Sequence, residues 1–171
     1  PLPLAAQAAP LYGMCADDYD GDGFLDLVIN GNDFGTDVAV GRYDALNGLY
    51  LKGNGKGNFL PQSILNSGIF IPGNGKALIK LITKDSSYCI AASQNKGPLK
   101  LFRLNKKIKA VPVNAADAVA IVVYKNGTQQ RRELYYGASF LSQSDRFIAI
   151  DDNVKTIEVI DYTGKKRMLS F

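Results

Sequence analysis

Short runs of apolar and β-branched residues, interrupted by glycine, asparagine and aspartate, follow one another along the whole chain. Runs of this length bounded by turn residues are typical of β-strands. No long segment repeats its apolar positions with the 3.6-residue period of a helix, so the pattern predicts an all-β protein. The predicted strands are residues 13–16, 26–29, 49–51, 77–82, 88–92, 99–104, 118–124, 132–136 and 156–162. Tight turns with positive φ are predicted at Asn54-Gly55, Asn74-Gly75, Asn126-Gly127 and Thr163-Gly164.

The first part of the strand pattern recurs in a weaker form further along the chain. In the first copy, two strands flank an acidic loop and a third strand follows at Leu49-Tyr50-Leu51. In the second copy, residues 84–87 form the loop and residues 99–104 form the third strand. A glycine-rich hairpin, residues 53–59, lies between the copies. A repeat of about 50 to 60 residues with about four short strands has the size of a propeller blade.

Acidic and non-acidic residues alternate in the loop at residues 18–26, which reads Asp-Tyr-Asp-Gly-Asp-Gly-Phe-Leu-Asp. Calcium takes about six to eight oxygen ligands, so it needs several carboxylates on a chain that turns sharply. The aspartates stand at positions 1, 3, 5 and 9 of the loop, and Gly23 at position 6 permits the bend. The predicted calcium ligands are the carboxylates of Asp18, Asp20, Asp22 and Asp26 and the main-chain carbonyl of Phe24.

Two further features define the kind of site that this loop predicts. Position 12 is Ile29 instead of glutamate, so the loop resembles a strand-to-strand calcium loop and not an EF-hand. Four clustered carboxylates repel one another without a cation, so the ion is expected to be structural. Magnesium fits less well because it demands near-ideal octahedral geometry. The alternative is a solvated acidic turn without a metal, and Asp17 is a less certain member of the ligand set.

The residues from Asp18 to Leu27, followed by the hairpin at residues 53–59, resemble the FG-GAP or VCBS type of β-propeller repeat. Such repeats occur in integrin α-chains and in many bacterial surface proteins. The resemblance implies two blades within residues 1–112, at about 11–62 and 63–112. Two blades do not close a propeller, for which four or more are usual, so contacts with further blades of a larger parent protein are expected. The second copy lacks the acidic loop, which argues against a second calcium site.

The C-terminal part carries a second resemblance. The stretch Gln-Arg-Arg-Glu-Leu-Tyr-Tyr-Gly-Ala-Ser-Phe-Leu-Ser-Gln-Ser, residues 130–144, is similar to the signature of the ASPIC/UnbV domain, which often follows such repeats. This resemblance implies a small β-rich domain over residues 113–171.

The composition removes several classes of function. The chain has no His, which excludes His-based catalytic triads and haem or zinc sites built on His. Asp151-Asp152 is expected to be a turn, and the C-terminal serines have no activating partner, so no enzymatic activity is predicted. Eight Asp lie in residues 1–60, where the acidic loop is, although the net charge of the chain is +4. The basic residues elsewhere are dispersed without a stacking pattern of aromatics, so no nucleic-acid partner is expected.

The apolar runs are too short for a transmembrane helix, which needs about 20 residues. The chain begins at Pro1 without a leader pattern, so any signal or anchor sequence is expected to have been removed or to lie outside these residues. Cys15 and Cys89 could form one disulfide in an oxidising compartment, but both stand in apolar runs, and buried free thiols are the favoured prediction.

These observations lead to one favoured function and two alternatives. The favoured function is a calcium-stabilised, non-catalytic binding or adhesion module that recognises an unidentified protein or carbohydrate. Its expected location is extracellular, at the cell surface or periplasmic. The first alternative is a purely structural cap, in which the C-terminal segment covers the preceding blades. The second is a non-catalytic fragment of a glycan-processing enzyme.

Overall fold

A computed structural model describes residues 2–106, 108–137 and 139–171. Strands hold 46% of the residues and helices 4%, which confirms the all-β prediction. The strands are β1 Leu11–Asp17, β2 Asp26–Gly31, β3 Leu49–Gly53, β4 Phe59–Gln62, β5 Gly75–Ile82, β6 Tyr88–Gln94, β7 Lys100–Arg103, β8 Lys109–Pro112, β9 Asp117–Tyr124, β10 Gln129–Glu133, β11 Phe147–Ile150, β12 Val154–Asp161 and β13 Lys166–Met168. A 3-10 turn lies at Leu4–Ala6 and a short helix, α1, at Ile64–Ser67. None of the described helices is long and apolar enough to cross a membrane.

The first sheet is an antiparallel meander in the order β1-β2-β3-β4. β1 and β2 are in register up to the pair Asp17 and Asp26, so residues 18–25 form the connection at the end of this hairpin. β3 and β4 are joined by the predicted glycine-rich turn, which closes on the pair Gly53 and Phe59. The acidic loop and the glycine-rich turn therefore lie at the same end of the sheet.

The second sheet contains β5, β6 and β7 in antiparallel order and packs against β1 and β2 of the first sheet. Cys15 and Val28 of the first sheet share a buried apolar cluster with Leu78 and Ile90 of the second. Ile69 and Ile71, from the connection that follows α1, complete this cluster. The two sheets thus share a common core.

The C-terminal part forms a two-stranded sheet of β8 and β11 and a four-stranded sheet in the order β10-β9-β12-β13. These sheets share a core that includes Val122, Ile148 and Ile157. β8 lies in the range assigned from sequence to the second blade, yet it pairs with β11 of the C-terminal part. None of the described sheets is closed.

One predicted turn differs from the structure. Asn74-Gly75 is not a hairpin turn, because Gly75 is the first residue of β5 and Asn74 is buried. The main-chain carbonyl of Asn74 accepts a 2.8 Å hydrogen bond from the N–H of Asn95, which ties the start of β5 to the end of β6. The predicted turns at Asn54-Gly55, Asn126-Gly127 and Thr163-Gly164 do have a glycine with positive φ.

Candidate metal centre

The connection between β1 and β2 brings three of the predicted ligands together. The carboxylates of Asp18, Asp20 and Asp22 each place an oxygen within 4.8 Å of the other two. The chain can fold back so tightly because Gly21 and Gly23 adopt φ angles of 83° and 88°, which other residues rarely tolerate. We call Asp18, Asp20 and Asp22 the acidic cluster.

Hydrogen bonds within the loop hold the acidic cluster in place. The two carboxylate oxygens of Asp18 accept hydrogen bonds from the N–H groups of Gly21 and Gly23, at 2.6 and 3.0 Å. One oxygen of Asp20 accepts the N–H of Asp22, and one oxygen of Asp22 accepts the N–H of Phe24. The second oxygens of Asp20 and Asp22 receive no main-chain N–H from the described residues, and they point towards a cation.

That cation is the ammonium group of Lys52 on β3. Its Nζ forms ion pairs with Asp20 and Asp22, the latter at 3.0 Å. These hydrogen bonds raise the pKa of Lys52 well above its usual value. Lys52 is a half-exposed side chain on a flexible stem, so it can leave the cluster without a change in the sheet. Its position shows where the loop stabilises positive charge.

Asp18 differs from the other two members because its side chain is buried. Burial raises the pKa of Asp18, and the hydrogen bonds from Gly21 and Gly23 act in the opposite direction. The ammonium of Lys106 lies next to Gly21 and also lowers this pKa, while forming an ion pair with Asp151. Ionisation of such a buried carboxylate is costly, and a bound cation would stabilise its ionised form.

Asp26 and Phe24, the other two predicted ligands, have different surroundings. The Asp26 carboxylate is fully buried outside the acidic cluster and accepts hydrogen bonds from Gly53 N–H at 2.8 Å, Tyr50 hydroxyl at 2.7 Å and Tyr19 N–H at 3.1 Å. Both of its oxygens are therefore used to connect the loop to β3. The side chain of Phe24 is exposed and its N–H donates to Asp22, while ligation by its carbonyl stays a prediction.

Asp17 belongs to a buried ion-pair network that the sequence analysis did not identify. Its carboxylate accepts hydrogen bonds from the Lys80 ammonium and the Tyr88 hydroxyl, each at 3.0 Å, and lies 3.6 Å from the Arg132 guanidinium. Burial acts to raise the pKa of Asp17, but Lys80 and Arg132 outweigh it and hold this pKa below the usual range. Asp17 lies two residues after Cys15 on β1 and therefore faces the same buried side of the strand. This spacing is the sequence signal that could have identified Asp17 as buried.

The network joins three sheets, since Asp17 lies on β1, Lys80 on β5 and Arg132 on β10. Arg132 also donates to the Ala149 carbonyl at 2.9 Å and to the Tyr124 hydroxyl at 3.1 Å. Every charged group in the network therefore has a partner, which is typical of a structural junction and not of a reactive centre.

A segment of the C-terminal part covers the free edge of β5. The N–H groups of Leu78, Lys80 and Ile82 donate to side-chain oxygens of this segment. The accepting oxygens belong to Ser139, Ser144 and Asp145. Because these N–H groups alternate along the strand, they are the ones that a neighbouring strand would otherwise bind. Residues 139–145, here called the edge segment, thus take the place of a strand.

The two thiols are free: Cys15 is buried and Cys89 is partly buried. Burial raises the pKa of Cys15 to about 11, so it behaves as a small apolar residue of the core shared by the two sheets.

No model of a known protein family matches this chain, and the curated proteins include none with significant similarity to it. The resemblances to FG-GAP or VCBS repeats and to the ASPIC/UnbV domain therefore rest on the motif residues themselves.

Proposed function

We propose that the chain is a non-catalytic, calcium-stabilised β module of a larger secreted or cell-surface protein. In this proposal β1–β4 and β5–β7 are neighbouring blades of FG-GAP or VCBS type, and the module contributes to the binding of a protein or carbohydrate. The observation that carries the proposal is the acidic cluster, in which a glycine-bent loop holds three carboxylates around one position.

The chemistry of the acidic cluster favours a hard cation such as calcium over a softer metal. All of its ligand atoms are hard carboxylate oxygens, and the nearby main-chain carbonyls can add neutral oxygen ligands. A soft or borderline metal would prefer His or Cys, and this chain has no His. Weak calcium sites with Kd values of about 10⁻⁴ to 10⁻³ M are typical of extracellular modules, where the free ion is abundant. The proposal therefore places the module in an extracellular, surface or periplasmic location, where such a site would be occupied.

Calcium would act on stability because it binds the folded loop and not the unfolded chain. An ion present at about 100 times its Kd adds about 2.7 kcal/mol to the free energy of unfolding. For a chain of this size, that corresponds to a rise in melting temperature of about 5 to 11 °C. The proposal therefore makes the ion a part of the fold and assigns it no catalytic step.

The test compares two double variants that change net charge equally. Asp20→Asn with Asp22→Asn weakens the acidic cluster, whereas Asp37→Asn with Asp44→Asn alters exposed residues of the loop between β2 and β3. We expect calcium to raise the melting temperature of the wild type and of the control double variant, but not of the cluster variant. Equal calcium responses in all three proteins would overturn the proposal.

A second candidate function is supported by the edge segment. An exposed edge strand is a template for unwanted pairing, and the edge segment satisfies the N–H groups of β5 with its own side chains. In this alternative, the C-terminal part is purely a cap on the preceding sheets. The alternative predicts that variants of the edge segment lower the free energy of unfolding and promote self-association. It also predicts that no outside ligand protects β5 from hydrogen exchange.

A further inference from the structure

A groove of about 530 Å³ opens beside the metal loop, between the ends of three hairpins. Its walls are loop residues 22–25, the glycine-rich turn at residues 53–59, and residues 124–130 of the β9–β10 hairpin. Small-molecule sites in proteins usually measure about 300 to 1,000 Å³, so the groove has room for one or two sugar rings.

The lining of this groove combines apolar surface with several uncharged polar side chains. Asp22, at the rim, is the charged residue among the described lining, and the lining contains no Lys or Arg. A carboxamide offers two N–H donors and an acceptor oxygen, which matches hydroxyl groups that donate and accept at once. The carboxamides in the lining are those of Asn54, Asn58, Asn126, Gln129 and Gln130.

Several of these carboxamides have free bonding capacity. The side chains of Asn58 and Gln129 are exposed and form no hydrogen bond with the described part of the chain. Asn54 and Asn126 use their side-chain oxygens to accept N–H groups of their own turns, at 2.9 Å in each case. Their NH₂ groups are left for solvent or a ligand. The turns thus fix the direction of these amides without consuming their donors.

Phe24 supplies an apolar surface in the same groove. Its side chain is 45% exposed, so part of the ring is open to a ligand. The ring lies directly against the backbone of Gly55, where a β-carbon would overlap it. Gly55 has a positive φ of 69°, so the turn and the ring are held together. A fixed, half-exposed ring loses little conformational entropy when it binds a ligand.

We propose that this groove binds a neutral saccharide, with the C–H face of one sugar ring on Phe24 and its hydroxyls on the carboxamides of Asn58 and Gln129. The inference deepens the proposed function and rests on it, because residues 22–25 belong to the metal loop as well as to the groove. An acidic glycan is disfavoured, since the described lining has no basic side chain and has Asp22 at its rim.

The test follows the side-chain amide signals of ¹⁵N-labelled protein during titration with cellobiose, maltose, lactose, mannobiose and chitobiose in calcium buffer. We expect the amide signals of Asn58 and Gln129 to shift with at least one of these sugars. Phe24→Ala should weaken that binding by about tenfold or more. The matched control is Phe70→Ala, which removes a ring of nearly equal exposure, 44%, outside the groove and should not change the affinity.

The inference would be overturned by no shift with any of the five sugars, or by equal affinities of the Phe24→Ala and Phe70→Ala variants. Shifts produced only by a neutral Asn- and Gly-rich peptide would assign the groove to a protein ligand and would also overturn it. Calcium calorimetry on the same samples separates this inference from the proposed function, because Phe24→Ala retains the main-chain carbonyl. Calcium binding without a sugar response contradicts the groove alone, whereas a sugar response without calcium binding contradicts the metal site alone.

Discussion

Replacing Asp17 with Asn should destabilise the protein more than any comparable change of an exposed aspartate. The substitution keeps the size of the side chain but removes the negative charge between Lys80 and Arg132. Both cations are largely buried, with 20% and 14% of their side chains exposed. They would be left without their anion, and removal of one partner from a buried ion pair usually costs about 3 to 5 kcal/mol.

The structure places the expected cost near the lower end of that range. Lys80 retains some contact with water, and the new carboxamide oxygen can still accept the Tyr88 hydroxyl. We therefore expect a loss of about 3 kcal/mol, which corresponds to a decrease in melting temperature of about 6 to 12 °C for a chain of this size. Adding Lys80→Met removes one of the two unpaired positive charges, so the double variant should have a higher free energy of unfolding than Asp17→Asn alone.

The assay is urea unfolding followed by circular dichroism, carried out in EDTA so that metal binding does not contribute. Asp85→Asn is the control, because Asp85 and Arg103 form an exposed pair at 4.0 Å and the change should stay within experimental error. Equal free energies of unfolding for Asp17→Asn and Asp85→Asn would refute the role of the network. The role would also be refuted if the loss in the double variant equalled the sum of the losses in Asp17→Asn and Lys80→Met measured alone, because charges in contact must show coupling.

The network also predicts a dependence on pH. The folded-state pKa of Asp17 lies below its unfolded value of about 3.9, because Lys80 and Arg132 favour the ionised form. The stabilisation is thus complete above about pH 5 and is lost as the pH falls through the folded-state pKa. Asp17→Asn has no such group to protonate, so its free energy of unfolding should fall less steeply with acid than that of the wild type. Parallel curves between pH 5 and pH 2.5 would contradict this assignment.

Two further predictions concern the metal loop and the edge segment. Lys52→Met removes the ammonium that competes with the ion, so the calcium Kd measured by calorimetry should fall by about three- to tenfold. Lys56→Met, on the exposed turn, is the control and should not change the Kd. Equal Kd values for the two variants would show that Lys52 does not compete. Asp145→Ala leaves the Ile82 N–H without its acceptor and should lower the free energy of unfolding by about 1 kcal/mol. Hydrogen exchange at Ile82 should become faster, with Asp152→Ala as the control, and an unchanged rate would count against the edge segment.

Local sequence patterns were sufficient for much of the fold. The strands at β2, β3, β5, β6, β7, β9 and β12 coincide closely with apolar runs, because a buried strand must be apolar on at least one face. β10 begins and ends three residues before the strand predicted at residues 132–136, since its first residues are polar and mostly exposed. β4, β8, β11 and β13 have only three or four residues each and were not predicted, because so few residues give a weak strand pattern.

Local sequence also predicted only part of the candidate site. The spacing of Asp18, Asp20 and Asp22 predicted their cluster, because loop geometry depends on neighbouring residues. The roles of Asp17 and Asp26 could not be predicted this way, since their side-chain partners lie more than twenty residues away in sequence. Whether a carboxylate faces an ion or a buried Tyr hydroxyl is decided by packing between strands, and sequence spacing does not report that packing.

The most direct test of the account is isothermal titration of calcium into the metal-free protein. We predict one binding event per chain, a weaker response to magnesium, and no binding to the variant that combines Asp20→Asn with Asp22→Asn. No heat of binding with the wild type at millimolar calcium, or an undiminished signal with the variant, would contradict the account and identify residues 18–25 as a solvated turn neutralised by Lys52.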